Sequence, residues 1–131
     1  MRRGEVWLIN LDPAIGAEIQ KNFATQNFNS QYSLYCDKKT RPAVIVNDNA
    51  VGILPLKVIV PVTDWKDHYS VAPWMVRLEP SAGNGLDKIS AADTFQVRSV
   101  AQTRFIRRFG KLSGDSMQEI TDALSVVLGI E

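Results

Sequence analysis

Apolar positions in this chain come in short runs broken by turn residues, until the C-terminal segment, where they recur every three or four residues. Residues 4–11 are β-branched, aromatic and ended by Asp12-Pro13, the pattern of a buried strand. Residues 42–47 and 54–62 read as a second and third strand, with Asn47-Asp48-Asn49 and Gly52 supplying turn chemistry between them. Pro61 cannot donate to a ladder, so the end of the third run is expected at an edge or a bulge. Residues 71–78 look like a fourth strand, followed by a turn-rich stretch from Glu79 to Leu86. Residues 95–100 alternate apolar and polar as a half-buried strand does, and another short strand is expected near 104–110.

Met117, Ile120, Leu124, Val127 and Leu128 share one helical face. Ser116 and Glu119 have capping-box spacing, Ser113 is a rival cap, and Gly129 stands where a helix end favours glycine. Five to seven short strands and a terminal helix imply an α+β, mainly β fold: a small, strongly curved barrel carrying a C-terminal helix.

Residues 12–40 break the pattern. Gly16, several Asn and Gln within 20–27, and Phe23, Phe28, Tyr32 and Tyr35 show neither helical nor strand periodicity. A segment this long without regular pattern is usually functional or mobile. Its aromatics are expected to cap the core or meet a partner, with base stacking as the other use.

Composition narrows the chemistry. At 131 residues the chain has the size of one domain, and its 15 Lys plus Arg against 14 Asp plus Glu leave a formal charge of +1. A polyanion site must therefore be local rather than a bulk field. Cys36 is the only cysteine and His68 the only histidine, so internal disulfides, cysteine clusters and paired-histidine metal sites are excluded. The lone cysteine and the lack of a membrane-length apolar run point to the cytoplasm and away from membranes.

The candidate chemistry lies at strand boundaries. Arg41 opens the second strand, and Pro42 biases it toward extended backbone, so its guanidinium leaves at a defined point. A guanidinium offers a planar fork of donors suited to phosphate. Thr63 closes the third strand. If the two strands form an antiparallel hairpin, Arg41 and Thr63 share one edge, with Glu18 on the preceding loop. An arginine beside a hydroxyl can stabilise and orient a phosphodiester in its pentacovalent state. RNA carries its own 2′-hydroxyl nucleophile, so such a site needs neither a protein nucleophile nor a metal. Trp65 is the best stacking candidate, whereas Trp7 and Trp74 read as core. His68 reads as an exposed turn residue. Arg104, Arg107, Arg108 and Lys111 form the densest basic cluster, a solvated strand in the plain reading and an RNA groove in the functional one.

The blocks Arg3–Pro13, Gly16-Ala17-Glu18-Ile19, Lys39–Val46, Val60–Thr63 and Gln96–Val100, in this order, resemble the MazF/PemK toxin family over most of the chain. The resemblance implies a small SH3-like barrel of the CcdB/PemK type, a homodimer, and metal-independent endoribonuclease activity on single-stranded RNA without a cofactor. It also implies 2′,3′-cyclic phosphate and 5′-hydroxyl ends, and inhibition by a cognate antitoxin. Matched by position, Arg41 and Thr63 are the catalytic pair and Glu18 a supporting acid. Gln96 and Arg98, with Lys39 beside the arginine block, are expected on the RNA.

Two departures stand out. Phe95 occupies a position where many members carry aspartate, with Asp93 two residues earlier, and residues 20–38 look like an insertion within a single 1–131 domain. Two other functions remain in view: a noncatalytic SH3-like interaction module, and a CcdB-like gyrase-binding toxin. The tail Leu128-Gly129-Ile130-Glu131 lacks the Trp-Gly-Ile ending of CcdB and reads as a helix cap.

Overall fold

In a computed structural model, described for residues 1–11, 40–51 and 55–130, the apolar runs pair into one antiparallel system. Seven strands occur among these residues: β1 (Glu5–Asn10), β2 (Thr40–Ile45), β3 (Leu56–Asp64), β4 (Met75–Leu78), β5 (Ser90–Asp93), β6 (Arg98–Ala101) and β7 (Phe105–Lys111). The order is β4-β5-β3-β2-β1-β7, with β6 on β3. Glu18, Lys39 and the stretch 20–38 lie outside the described residues.

The longest strand, β3, organises the rest. Its first half pairs with β6, from Leu56↔Ala101 to Ile59↔Arg98, and its last residues pair with β5, from Val62↔Ala92 to Asp64↔Ser90. Pro61 sits where one neighbour gives way to the other, while Ala43 of β2 faces it from the opposite side. The expectation of an edge or bulge at Pro61 is thus replaced by a change of partner within a central strand, where the missing N–H is tolerated.

Alternation sends side chains to two faces. Val6, Val44, Val60 and Val62 pack with Ile120 and Ala123 of helix α1 (Gly114–Leu128), while Ile9, Ala43, Ile45, Ile59 and Val100 form a second cluster flanked by Trp7 and Phe105. Full burial of a side chain such as Ile120 stabilises by about 1.5–3 kcal/mol. Ser113 is the cap: its side chain accepts from the Ser116 N–H at 3.1 Å, in preference to a box begun at Ser116. Gly129 ends α1 at φ 69°, a left-handed turn, so the tail is a helix stop, as its sequence implies. Arg3 ties the helix to the sheet, donating to the Val46 carbonyl and, at 2.8 Å, to the Thr121 hydroxyl. No helix among the described residues is long and apolar enough to cross a membrane.

Three segments differ from the sequence reading. The 71–78 run shortens to β4 behind a 3-10 turn over Asp67–Val71. Residues 95–100 become a 3-10 turn at Thr94–Gln96 followed by β6, because the Asp93 carboxylate caps the Phe95 N–H at 3.2 Å. Ser90–Asp93, read as no element, is the strand between β3 and β4.

Candidate active site

Because β2 and β3 are antiparallel neighbours, the order in which they run decides which of their ends meet. The register pairs Ala43 with Pro61, Val44 with Val60 and Ile45 with Ile59. Arg41 and Thr63 lie two residues beyond its last pair, at the same end of the two strands, as the hairpin reading expects. Both line one cleft of about 500 Å³.

Its remaining walls come from the β4–β5 loop, through Gly85–Lys88, and from β7, through Arg107–Phe109. Loop and strand approach so closely that glycine is required on both sides. A Cβ on Gly110 would lie 2.2 Å from the Gly83 carbonyl oxygen, and one on Gly85 (φ 72°) would lie 2.3 Å from that of Phe109. The Lys111 N–H donates to the Gly83 carbonyl at 2.8 Å across this seam. Asn84, buried beneath it, shapes the loop: its Oδ1 accepts from the Ser81 and Leu86 N–H groups, and its Nδ2 donates to the Glu79 carbonyl at 2.9 Å. Such self-satisfying amides are how a turn buries backbone without loss.

Arg41, Lys88, Arg107 and Arg108 bring four cations to the cleft, against the carboxylates of Asp64 and Asp87. Lys88 meets Asp64 at 3.0 Å, but both are about half exposed, so the pair contributes at most about 1 kcal/mol. Arg108 is steadied from behind by Glu5, 3.5 Å from its Nε, and the same carboxylate accepts the Trp7 indole N–H at 2.8 Å. Burial alone would raise the Glu5 carboxyl. Hydrogen bonds from Trp7 and the Arg2 backbone, with the charges of the N-terminus and Arg108, hold it below its ordinary value. The result is a locally cationic cleft in a nearly neutral chain.

The other expected residues fall elsewhere. Asp93 is turned into its own 3-10 turn, accepting from the Phe95 N–H and, at 2.9 Å, from Gln96 Nε2. Gln96 and Arg98 stand beyond the β5 end, Arg98 opposite Ile59, and neither lines the cleft. Trp65 follows β3 directly, but its ring lies under the Arg77 guanidinium (5.6 Å) and against the edge of Tyr69 (5.8 Å). His68 is exposed in the following turn. The basic cluster divides: Arg107 and Arg108 line the cleft, whereas Arg104 is fully buried and donates to the Asn10 carbonyl at 2.9 Å. Trp74, read as core, is 37 % exposed.

Asp64, Asp87 and Lys88 were not singled out in the sequence. Asp64 adjoins Thr63, the one signal that could have marked it; the other two belong to a turn whose position depends on β5. Chemically, a guanidinium fork, a hydroxyl and further cations around one opening suit the binding of a phosphodiester and of the extra charge it gains on attack.

The model of the PemK-like, MazF-like toxins of type II toxin–antitoxin systems matches residues 2–128. Endoribonuclease MazF9 of Mycobacterium tuberculosis is 30% identical over 136 residues, covering 99% of this chain and 98% of that protein. Endoribonuclease PemK of Escherichia coli is 29% identical over 130 residues, covering 98% and 82%. Among solved structures, an endoribonuclease in complex with its cognate antitoxin from Mycobacterial species superposes with a TM-score of 0.67 at 17% identity, over 100% of this chain and 97% of that one. With a match over nearly its whole length and a curved antiparallel sheet closed by a C-terminal helix, the chain belongs to the PemK-like, MazF-like toxin family.

Proposed function

We propose that this chain is the toxin of a toxin–antitoxin pair, a cytoplasmic, homodimeric endoribonuclease that cuts single-stranded RNA without a metal. The observation that carries the reading is that Arg41 and Thr63, at one end of β2 and β3, line the same cleft among further cations. In the reaction a ribose 2′-oxygen attacks the adjoining phosphorus and the P–O5′ bond breaks. The products are a 2′,3′-cyclic phosphate and a 5′-hydroxyl. The 2′-hydroxyl gives up its proton, and the departing 5′-oxygen gains one.

Arg41 holds the phosphate oxygens through charge-assisted hydrogen bonds, worth about 1.5–3 kcal/mol each, which strengthen as charge builds. Thr63 orients one of those oxygens. Arg107 and Arg108 guide the strand into the cleft. Glu18 is the supporting acid, Lys39 and Arg98 contribute positive charge, Gln96 contacts a base, and Trp65, with Arg77 over its ring, borders the RNA. The family match over residues 2–128 supports reading the whole length as one toxin domain. A cognate antitoxin then competes with RNA for the cations around Arg41, an acidic segment being the complementary partner.

The test is cleavage of a long unstructured RNA in excess chelator by the purified protein, beside folded Arg41→Ala and Thr63→Ala variants. Discrete cuts with cyclic-phosphate ends, reduced about 10²–10³-fold in either variant, are expected from the loss of one preorganised donor. A folded, antitoxin-free protein that cuts none of a diverse set of RNAs would overturn the assignment.

A further inference from the structure

Outside the cleft, the most unusual surface feature is a pair of large aromatic rings left open to solvent. Phe95 is 66 % exposed and Trp74 37 %, and their rings meet edge to face at 5.8 Å and 73°. Leaving both rings in water forgoes burial that would otherwise stabilise the fold. Yet the backbone beneath them is firmly set. The Trp74 carbonyl accepts both the N–H (3.1 Å) and the hydroxyl (2.6 Å) of Thr94, itself fully buried, and Asp93 caps the Phe95 N–H. The rings therefore project from a fixed platform, the arrangement that keeps the ordering cost of binding low.

We propose that the Trp74–Phe95 pair is a stacking subsite for one unpaired base of the RNA, with the neighbouring Gln96 amide set to read that base's edge. The proposal rests on the ribonuclease reading above and extends it to substrate selection. Three observations favour a base as the occupant. The platform follows the strand beside Thr63: in β5, Ala91 pairs with Thr63, and Asp93, two residues on and about 7 Å along the strand, is joined through Thr94 to Phe95. The chemistry is that of a base, since Asp93 takes one N–H of Gln96 and so aims the exposed amide, leaving a carbonyl oxygen and a second N–H for donor and acceptor groups. Finally, Trp65, the tryptophan adjoining the catalytic strand, already carries the Arg77 guanidinium at its ring, whereas Phe95 is open.

The experiment uses the full chain and a short single-stranded RNA containing one mapped cut, with an abasic residue placed in turn at each position around it. Cleavage is read as kcat/KM. Binding is read separately with 2′-deoxy versions of the same oligomers, which lack the nucleophile. One abasic position away from the scissile phosphate is expected to weaken binding and kcat/KM about 5- to 100-fold. In Phe95→Ala that substitution should have no further effect, while Phe95→Tyr, which keeps the ring, should retain the sensitivity.

Equal losses on intact and abasic RNA in Phe95→Ala would mean a structural role and overturn the subsite. So would a change of oligomeric state in that variant by light scattering, which would give the patch to a second copy of the chain. If the protein cuts nothing, the ribonuclease reading fails, and abasic-sensitive binding of the deoxy oligomers decides the subsite on its own; insensitive binding, or none, overturns it.

Discussion

The floor of the cleft is hydrogen-bonded strand, whereas its far wall is a loop laid against β7 with no room for a side chain. Arg41 and Thr63 owe their meeting to the β2–β3 ladder, whose register is specified by which valines and isoleucines face which core. Arg107 and Arg108 owe theirs to two glycines at a backbone seam and to Asn84 beneath it. One side positions chemistry through side-chain alternation, the other through the absence of side chains. Substitutions should therefore fail differently on the two sides.

The sharpest contrast is expected from Arg41→Ala. It should lower RNA cleavage about 10²–10³-fold while changing unfolding free energy by about 1 kcal/mol or less, as thermal or urea melts would show. Parallel loss of activity and stability would mean that the floor depends on Arg41 for its shape, and the comparison would break.

Gly110→Ala should lose both together. Its Cβ would enter the Gly83 carbonyl, and overpacking of this kind costs about 1–3 kcal/mol or more. The melting temperature and kcat should fall in step. Gly114→Ala, where nothing lies within 4 Å, should stay within about 0.5 kcal/mol of the parent.

Much of the floor was legible in the sequence, because an arginine-proline pair opening one apolar run and a threonine closing the next can be matched by counting. The far wall was not. Ser90–Asp93 holds small residues of weak strand preference and becomes β5 only because β3 and β4 pair with it on either side. Arg104 looked like its neighbours Arg107 and Arg108, yet it turns inward to the Asn10 carbonyl, a difference no local pattern carries. Trp74 looked like core because tryptophan usually is; its exposure depends on the turn at Thr94, which in turn depends on the Asp93 cap.

Asn84→Ala should be milder than the seam glycine. It leaves the Ser81 and Leu86 N–H groups without their acceptor, a loss of about 1–3 kcal/mol measurable by melting, with hydrogen exchange rising first in residues 81–88.

The smallest effect is expected from Glu5→Gln, which loosens the hold on Arg108 from behind the wall. The folded carboxyl lies below its unfolded value, so its contribution is full above the ordinary glutamate pKa of about 4.3 and vanishes as pH falls through the lowered folded value. The variant should be slightly less stable than the parent at neutral pH, lose less stability as pH falls, and converge on the parent in acid. A steeper acid transition would reverse the assigned sign.

The pairing of β1 with β7 has a consequence for folding. Glu5 finds its partner at Lys111, far along the chain, and the seam at Gly83 likewise waits for Gly110. Contacts so distant in sequence form late and slowly. Until then the folding chain has Arg41 and Thr63 but not the Arg107–Arg108 wall facing them. A fold closed in this order completes its cationic wall only when β7 docks, among the last contacts to form.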